Sequence, residues 1–488
     1  MLSRRWSVLA LVAVAGTARA DVTLHPLFTA NMVLQQGVKL PVWGKAAPGE
    51  EVTVALFDGK TSTGTGTAKA DDKGDWKVTL DAQKPGTGYR FEVAGKNAVA
   101  LTNVAVGEVW VCSGQSNMEW PLNASYDADK AKAGALNANL RLFTVDKKTS
   151  PTPLTEYADL KHFSGWASSR PDNVGGFSAV AFHFGQQLQK ALGVPVGLIH
   201  TSWGGTPAEA WTSNAALEAV PELKYYADRS KGSAERFAKD KKPVGPGTPS
   251  SLYNAMIHPL LPFAVKGAIW YQGESNASKA YEYRTLFRTM IQDWRAKWGT
   301  DIAFHLVQLA PWHARDADGV SWAELRQAQT EATQKLKGVG MAVITDVGDL
   351  LDIHPRDKAT VGNRLARAAL AKTYEKNVIG SGPTFTASKI DGDKVTLTFE
   401  NVGSGLVAKY QTLNGFTVCG EDKYFYPAKA VISGKDTVIV TCDKVLKPVA
   451  VRFGWKNFPV ANVYNREGLP VVPFRTDDFP WTTMPPKK

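Results

Sequence analysis

The run Val109-Trp110-Val111-Cys112-Ser113-Gly114-Gln115-Ser116-Asn117-Met118 is apolar and β-prone until it stops at Gly114, and a serine follows two residues later. A serine just past the end of a buried strand is where α/β enzymes mount a nucleophile, because strand ends are rigid and open onto a crevice. The spacing is not Gly-x-Ser-x-Gly, so the nucleophile elbow of α/β-hydrolases is not what is written here. A serine after a glycine is also an ordinary turn residue. The nucleophile reading therefore needs a base, a group that orients the base, and donors for an oxyanion.

Of the eight histidines, His354 has the most suggestive surroundings, Asp349-Leu350-Leu351-Asp352-Ile353-His354-Pro355. Pro355 fixes the turn before a helix, and a carboxylate two residues from a histidine can orient an imidazole; a surface Asp/His pair is the plain alternative. His25 lies in a β region, His183 in a helical stretch and His305 in an apolar strand. His200 ends a strand and either lines a crevice or packs. His162, His258 and His313 have no distinguishing neighbours. Oxyanion donors have two candidate sources, Thr201-Ser202-Trp203-Gly204-Gly205-Thr206 and Trp270-Tyr271-Gln272-Gly273-Glu274-Ser275-Asn276. Glycines let backbone N–H groups approach a ligand, and side-chain amides donate. Gly-Gly is also a common loop, and Glu274 could be a buried structural carboxylate.

The elements that must position these groups form a βα pattern over residues 105–378. Strand candidates are Val106–Cys112, Val196–Thr201, Val265–Tyr271, Ala303–Leu309 and Met341–Thr345, with helical stretches such as 181–192, 279–298 and 322–337 between them. Leu286, Met290, Ile291 and Trp294 make one apolar helical face. Near-continuous apolar strands with intervening helices predict a parallel sheet covered on both faces. Residues 21–104 alternate as β, with Val52, Val54 and Leu56, then Trp76, Val78 and Leu80, and read as a small sandwich-like domain. The β pattern returns over 379–488, as a second small β domain. Residues 231–250, rich in Lys, Gly, Pro and Ser, read as an exposed loop.

With 488 residues, 44% hydrophobic and 21% charged, the chain has a globular composition and length for two or three domains. Its fifteen tryptophans suit sugar surfaces and cores alike. Residues 1–20 read as a secretory signal: Arg4 and Arg5, an apolar stretch Val8 to Ala15, and Ala18-Arg19-Ala20 as cleavage site. The expected location is periplasmic or extracellular. The net charge of +11, which would be +8 without those residues, is spread along the chain, so nucleic acid is not an expected partner. No membrane insertion is expected. Cys419 and Cys442 could pair in an oxidising compartment, while Cys112 reads as a core residue. No Cys/His spacing of the zinc type occurs; no metal or cofactor is expected, and the sequence is silent on oligomeric state.

Serine first, glycines second, amide third and histidine last, each after its own strand, resemble the SGNH hydrolase superfamily. Gly114-Gln115-Ser116-Asn117-Met118, Ile269-Trp270-Tyr271-Gln272-Gly273-Glu274-Ser275 and Asp352-Ile353-His354-Pro355 resemble the sialate O-acetylesterase family. Ala461-Asn462-Val463-Tyr464-Asn465-Arg466-Glu467-Gly468-Leu469-Pro470 and Pro473-Phe474-Arg475-Thr476 are similar to it as well. The resemblance covers nearly the whole mature chain. It implies a three-layer SGNH-type parallel sheet with small β domains at both ends, and a carbohydrate O-acetylesterase with Ser116 as nucleophile and His354 as base. The amides of Ser116 and Gly204 or Gly205, with the Gln272 side chain, would form the oxyanion hole. Gln115, Asn117, Trp203, Glu274 and Asn276 would bind substrate. Many SGNH enzymes carry the orienting aspartate three residues before the histidine, where this chain has Leu351. Asp352 is the substitute, with Asp349 or a backbone carbonyl as alternatives. The third block has Gln-Gly-Glu where many relatives have Gly-x-Asn, so the donor is Gln272 or Asn276.

The substrate could be an acetylated sialic acid or a plant-wall polysaccharide such as xylan or xyloglucan. A sialate carboxylate would want an arginine, and Arg170, Arg315 and Arg356 are available. A non-catalytic carbohydrate-binding protein is the rival of another class. A glycosidase using Glu108 and Glu274 is a weaker rival, since no spacing makes them a pair.

Overall fold

The computed structural model describes residues 21–155, 165–313, 319–410 and 412–486. The signal-like residues 1–20, His162 and Arg315 lie outside the described residues.

The main strands and helices of residues 98–372 are β1 (Ala98–Gly114), α1 (Ser116–Glu119), β2 (Asn137–Thr144), α2 (Ala179–Leu192), β3 (Val196–Ser202), α3 (Lys224–Asp240), β4 (Gly267–Tyr271), α4 (Ala280–Trp298), β5 (Ala303–Val307), α5 (Ser321–Lys335), β6 (Val339–Ala342) and α6 (Lys358–Lys372). The strands lie in the order β2-β3-β1-β4-β5-β6 and all run parallel. A short edge strand, Ala167–Ser169, is antiparallel to β2. β3, β4, β5 and β6 are buried at every residue, as a sheet covered on both faces requires. Successive side chains on β5 show the two layers. His305 points to α6 and bonds Thr373, while Phe304 packs on Phe287 and Trp294 of α4. Trp110 joins the first layer against Phe184 of α2, and Trp270 the second against Phe287. Trp110, Trp211, Trp270 and Trp294 are fully buried, so these tryptophans fill the core.

Strand β2 has no counterpart among the strands read from sequence. Only residues 140–143 of it are buried, and one of these is Arg141, so the apolar run is short and interrupted. The loop expected over 231–250 is helix up to Asp240, where α3 buries Tyr226, Ala227 and Ser230 and ends with Lys241 at φ +56°. The prolines, Pro243, Pro246 and Pro249, all lie beyond the helix, and pooling them with the Lys-rich helical half gave the whole segment a loop-like composition.

The expected boundary at 104/105 falls inside β1. The first part of this strand pairs with Gly86–Ala94, which continues into Glu51–Asp58 and Thr61–Lys69, so the N-terminal β region and the parallel strands share one sheet of eleven strands. Val52, Val54, Leu56, Trp76, Val78 and Leu80 face inward, and their core is continuous with that of the parallel strands. Residues 384–475 hold two four-stranded sheets around a second core that includes Val395, Leu397, Phe399, Phe416, Val438 and Phe453. Cys419 pairs across one of these sheets and Cys442 follows a strand of the other. Both are free thiols, as is Cys112, so the possible disulfide is not formed.

Candidate active site

The chain passes from β1 to β3 by way of β2, then crosses to β4 on the other side of β1. The carboxyl end of β1 is therefore the point where strand order reverses, the place where open α/β sheets bind ligands. Gly114 has φ +141°, and a Cβ at that position would stand 2.1 Å from the Tyr271 carbonyl oxygen of β4, so only glycine fits. Gln115 N–H donates to the same oxygen at 3.0 Å. The chain then makes the single helical turn α1, with Ser116 as its first residue. First-turn N–H groups have no intrahelical acceptor, and that of Ser116 has no partner among the described residues.

His354 comes from the far side. Strands lie about 4.8 Å apart, so β6, three places from β1, ends roughly 14 Å away. The loop from 343 to 357 crosses the ends of β5 and β4 and brings His354 Nε2 to 2.9 Å from Ser116 Oγ. Asp352 Oδ1 lies 3.2 Å from His354 Nδ1 and accepts the His354 backbone N–H at 2.9 Å. Asp349 Oδ1 accepts the N–H groups of Leu351 and Asp352 at 2.8 and 3.0 Å, so it shapes the turn. The Trp120 ring stacks on the imidazole with centroids 5.1 Å apart. Burial pulls the His354 pKa below 6.5, Asp352 raises it in part, and Lys358 adds to the lowering. A neutral imidazole is thus held against a serine hydroxyl, the arrangement a general base needs.

Trp203 N–H donates to Gly114 O at 3.1 Å and so pins the loop after β3 to the end of β1. A Cβ on Gly204 would stand 3.2 Å from Ser116 Cβ, which places Gly204 directly beside the serine. Its N–H donates to Glu119 Oε2 at 2.6 Å, and the other Glu119 oxygen receives Lys147 Nζ. Gly205, at φ +74°, turns the chain and has open space around it. Gln272 departs from the oxyanion expectation. Its two amide protons go to Thr206 O at 3.3 Å and Asn276 Oδ1 at 2.7 Å, and its oxygen accepts the Tyr283 hydroxyl at 3.0 Å. Fully buried, it has no proton left for a substrate. Asn276 is equally engaged, donating to Glu209 and accepting from Ala208 N–H.

The residues expected to bind substrate divide likewise. Gln115, Asn117 and Asn276 are buried, and Glu274 accepts from Asn117 at 2.7 Å. Gln115 Oε1 takes the Ser275 N–H at 3.3 Å. Asn117 and Glu274 thus bond each other, Gln115 holds a backbone N–H of the loop after β4, and Asn276 bonds Gln272, Glu209 and Ala208, so these side chains serve the protein's own hydrogen bonding. Trp203 is half-buried, with Lys147 Nζ 5.5 Å over its ring. Glu119, Trp120, Lys147 and Lys358 complete the surroundings and escaped the sequence reading. Glu119 and Trp120 could have been found as the next residues along from Ser116; nothing local marks Lys147.

His200 packs against Phe177 and bonds Ser202 at 2.6 Å, with burial lowering its pKa to about 4. Arg170 is held by Asp172, and Arg356 lies exposed over Tyr126. Glu108 binds Gln35 and Gln36 beside a cavity of about 1050 Å³ that contains neither Ser116 nor His354. Six residues of strand separate Glu108 from Gly114, about 20 Å, too far for a carboxylate pair across one glycosidic bond. Among the described residues no cluster of His, Cys, Asp or Glu could hold a metal ion, and no helix is long and apolar enough to cross a membrane.

A family described as carbohydrate esterase, sialic acid-specific acetylesterase, matches residues 106–371. Sialate O-acetylesterase of Mus musculus is 31% identical over 89% of this chain and 90% of its own length. The enzyme of Homo sapiens is 34% identical over 72% of this chain and 71% of its own. A solved carbohydrate acetylesterase from Xanthomonas citri superposes with a TM-score of 0.84 at 40% identity, covering 94% of this chain and 100% of that one. Fold and relatives together define a carbohydrate O-acetylesterase built on a three-layer α/β sheet. More narrowly, the chain belongs to the sialic acid-specific acetylesterase family of carbohydrate esterases.

Proposed function

We propose that this protein is an exported serine esterase that removes O-acetyl groups from sialic acid through an acyl-enzyme on Ser116. The observation that carries the mechanism is the 2.9 Å contact between Ser116 Oγ and His354 Nε2, made by residues 238 positions apart. His354 takes the hydroxyl proton as Oγ attacks the acetyl carbonyl carbon. The Ser116 N–H donates to the oxyanion, and the Gly204 N–H joins it once the partly exposed Glu119 side chain turns away. The C–O bond to the sugar breaks, and His354 returns the proton to the departing sugar oxygen. Water, deprotonated by the same imidazole, then attacks the acetyl-serine, and acetate leaves as Oγ regains its proton. Asp352 orients the imidazole and stabilises its charge.

The sialate assignment is supported by the names of the mammalian relatives. Lys147, paired with the Glu119 that also accepts the Gly204 N–H and lying over Trp203, becomes a free cation for an acidic sugar once Glu119 turns away. The test is acetate release from O-acetylated sialic acid beside acetylated xylan and xyloglucan oligomers, with wild type and Ser116→Ala. Release from sialate by wild type alone is expected. Release from only the plant-wall oligomers would overturn the substrate, and full activity in Ser116→Ala would overturn the mechanism. Labelling of Ser116 by an organophosphonate separates an esterase from a sugar-binding protein. Export rests on the basic, apolar and small-residue pattern of residues 1–20; a mature N-terminus at Asp21 is the expected result of sequencing the exported protein.

A further inference from the structure

Lys358, the first residue of α6, has no exposed surface. A buried ammonium is costly unless its donors are satisfied, yet no carboxylate oxygen lies within 4.0 Å of it among the described residues. Its nitrogen instead donates to Asn117 Oδ1 at 2.5 Å and sits 5.5 Å over the rings of both Trp120 and Tyr271. Trp120 is also the ring that stacks on His354.

Asn117 is buried to 1% exposure and makes three side-chain hydrogen bonds, both of its N–H donors included. Its oxygen faces Lys358, while Nδ2 donates to Glu274 Oε1 at 2.7 Å and to Ile353 O at 3.0 Å. A side-chain amide is nearly symmetric in shape, so its neighbours must choose which end points where. Lysine has three donors and no acceptor, so Oδ1 must face it, and both Nδ2 protons are then aimed at Glu274 and Ile353. Asn117 adjoins Ser116, and Ile353 adjoins His354. One amide therefore joins the nucleophile's turn to the loop that carries the base.

We propose that Lys358 is a positioning residue for the Ser116–His354 pair, acting through Asn117, whose amide it locks in the orientation that ties the two segments together. The inference rests on the roles proposed for Ser116 and His354. The charged groups around the ammonium are Glu274 from the loop after β4, Asp352 from the histidine loop and Asp357 at the start of α6. Burial pulls the lysine pKa down to about 7 against their attraction, and the same burial raises that of Glu274. The ammonium also opposes a second positive charge on His354, which favours the neutral base.

The experiment compares wild type, Lys358→Met and Asn117→Asp in kcat and KM on p-nitrophenyl acetate and in the rate of organophosphonate labelling. A displacement of about 1 Å at reacting atoms costs about 10²-fold. Lys358→Met is expected to lose about that in kcat and labelling rate, with KM within about threefold. Its acid limb in kcat/KM moves to higher pH, because a positive neighbour of the imidazole has gone; a lysine that served stability alone would leave kcat and the labelling rate of the folded variant in place. Asn117→Asp keeps the shape and can pair with Lys358, but loses the protons given to Glu274 and Ile353. The same loss of kcat is expected there, which covers a Met variant that fails to fold. A folded variant of either kind with kcat within about twofold of wild type overturns the proposal. So does an unmoved acid limb in folded Lys358→Met. Wild type that neither hydrolyses the ester nor takes the label would instead defeat the roles of Ser116 and His354.

Discussion

Replacing Asp352 by asparagine isolates the contribution of its charge. The carboxylate lies 3.2 Å from His354 Nδ1 and is 52% exposed. Two unit charges at that distance interact by about 1.3 kcal/mol in the dielectric of water and about 5 kcal/mol at an effective value of 20. Half-exposed pairs lie near the lower figure, which is about tenfold in rate. A buried triad aspartate, by contrast, can be worth about 10⁴ in kcat. The asparagine oxygen can still accept the His354 backbone N–H, now at 2.9 Å, so the turn should survive. Asp352→Asn should therefore lower kcat on p-nitrophenyl acetate about tenfold. Because the carboxylate favours the protonated imidazole, its removal lowers the His354 pKa. The acid limb then moves to lower pH, opposite in sign to Lys358→Met. Asp349→Asn should be nearly neutral, since its oxygen can still cap Leu351 and Asp352. A loss beyond about 10³ or below about twofold in Asp352→Asn would refute the reasoning. So would a larger loss in Asp349→Asn.

Gln272→Ala removes a buried amide with three partners and should cost about 2–4 kcal/mol in denaturant unfolding, losing stability before it loses an oxyanion donor. Gly114→Ala puts a Cβ 2.1 Å from the Tyr271 carbonyl in a strained backbone conformation; about 3 kcal/mol of destabilisation is expected, read as a lower melting temperature. In wild type, burial holds His354 below its ordinary 6.5. The base is protonated and inactive only below that shifted value, so the acid limb of kcat/KM should fall at pH below 6.5. Titration of the unfolded protein should give three thiols without reductant, and reductant should leave the melting temperature unchanged.

The parallel sheet was readable in the chain because burial on both faces writes itself as continuous apolar runs, as in Val106–Cys112 and Ala303–Leu309. Ser116 and His354 could be picked out because each follows such a run at a polar turn. The C-terminal cysteines show the limit. Both lie in strand-like runs, which is all that local pattern records, but their strands belong to different sheets.

What the sequence determined by itself is therefore local: which segments are strands, where each stops, and what side chains stand at the stops. Which of those side chains meet was decided by the tertiary structure. The loop after β6 had to cross two strand ends before His354 reached Ser116. Gln272 and Asn276, oxyanion candidates by type, are spent on each other and on Thr206, Ala208, Glu209 and Tyr283. Lys358, unremarkable on a helix of ordinary composition, lies beneath the site. A buried polar group takes its role from the partners that satisfy it, and here those partners come from segments far apart in the chain.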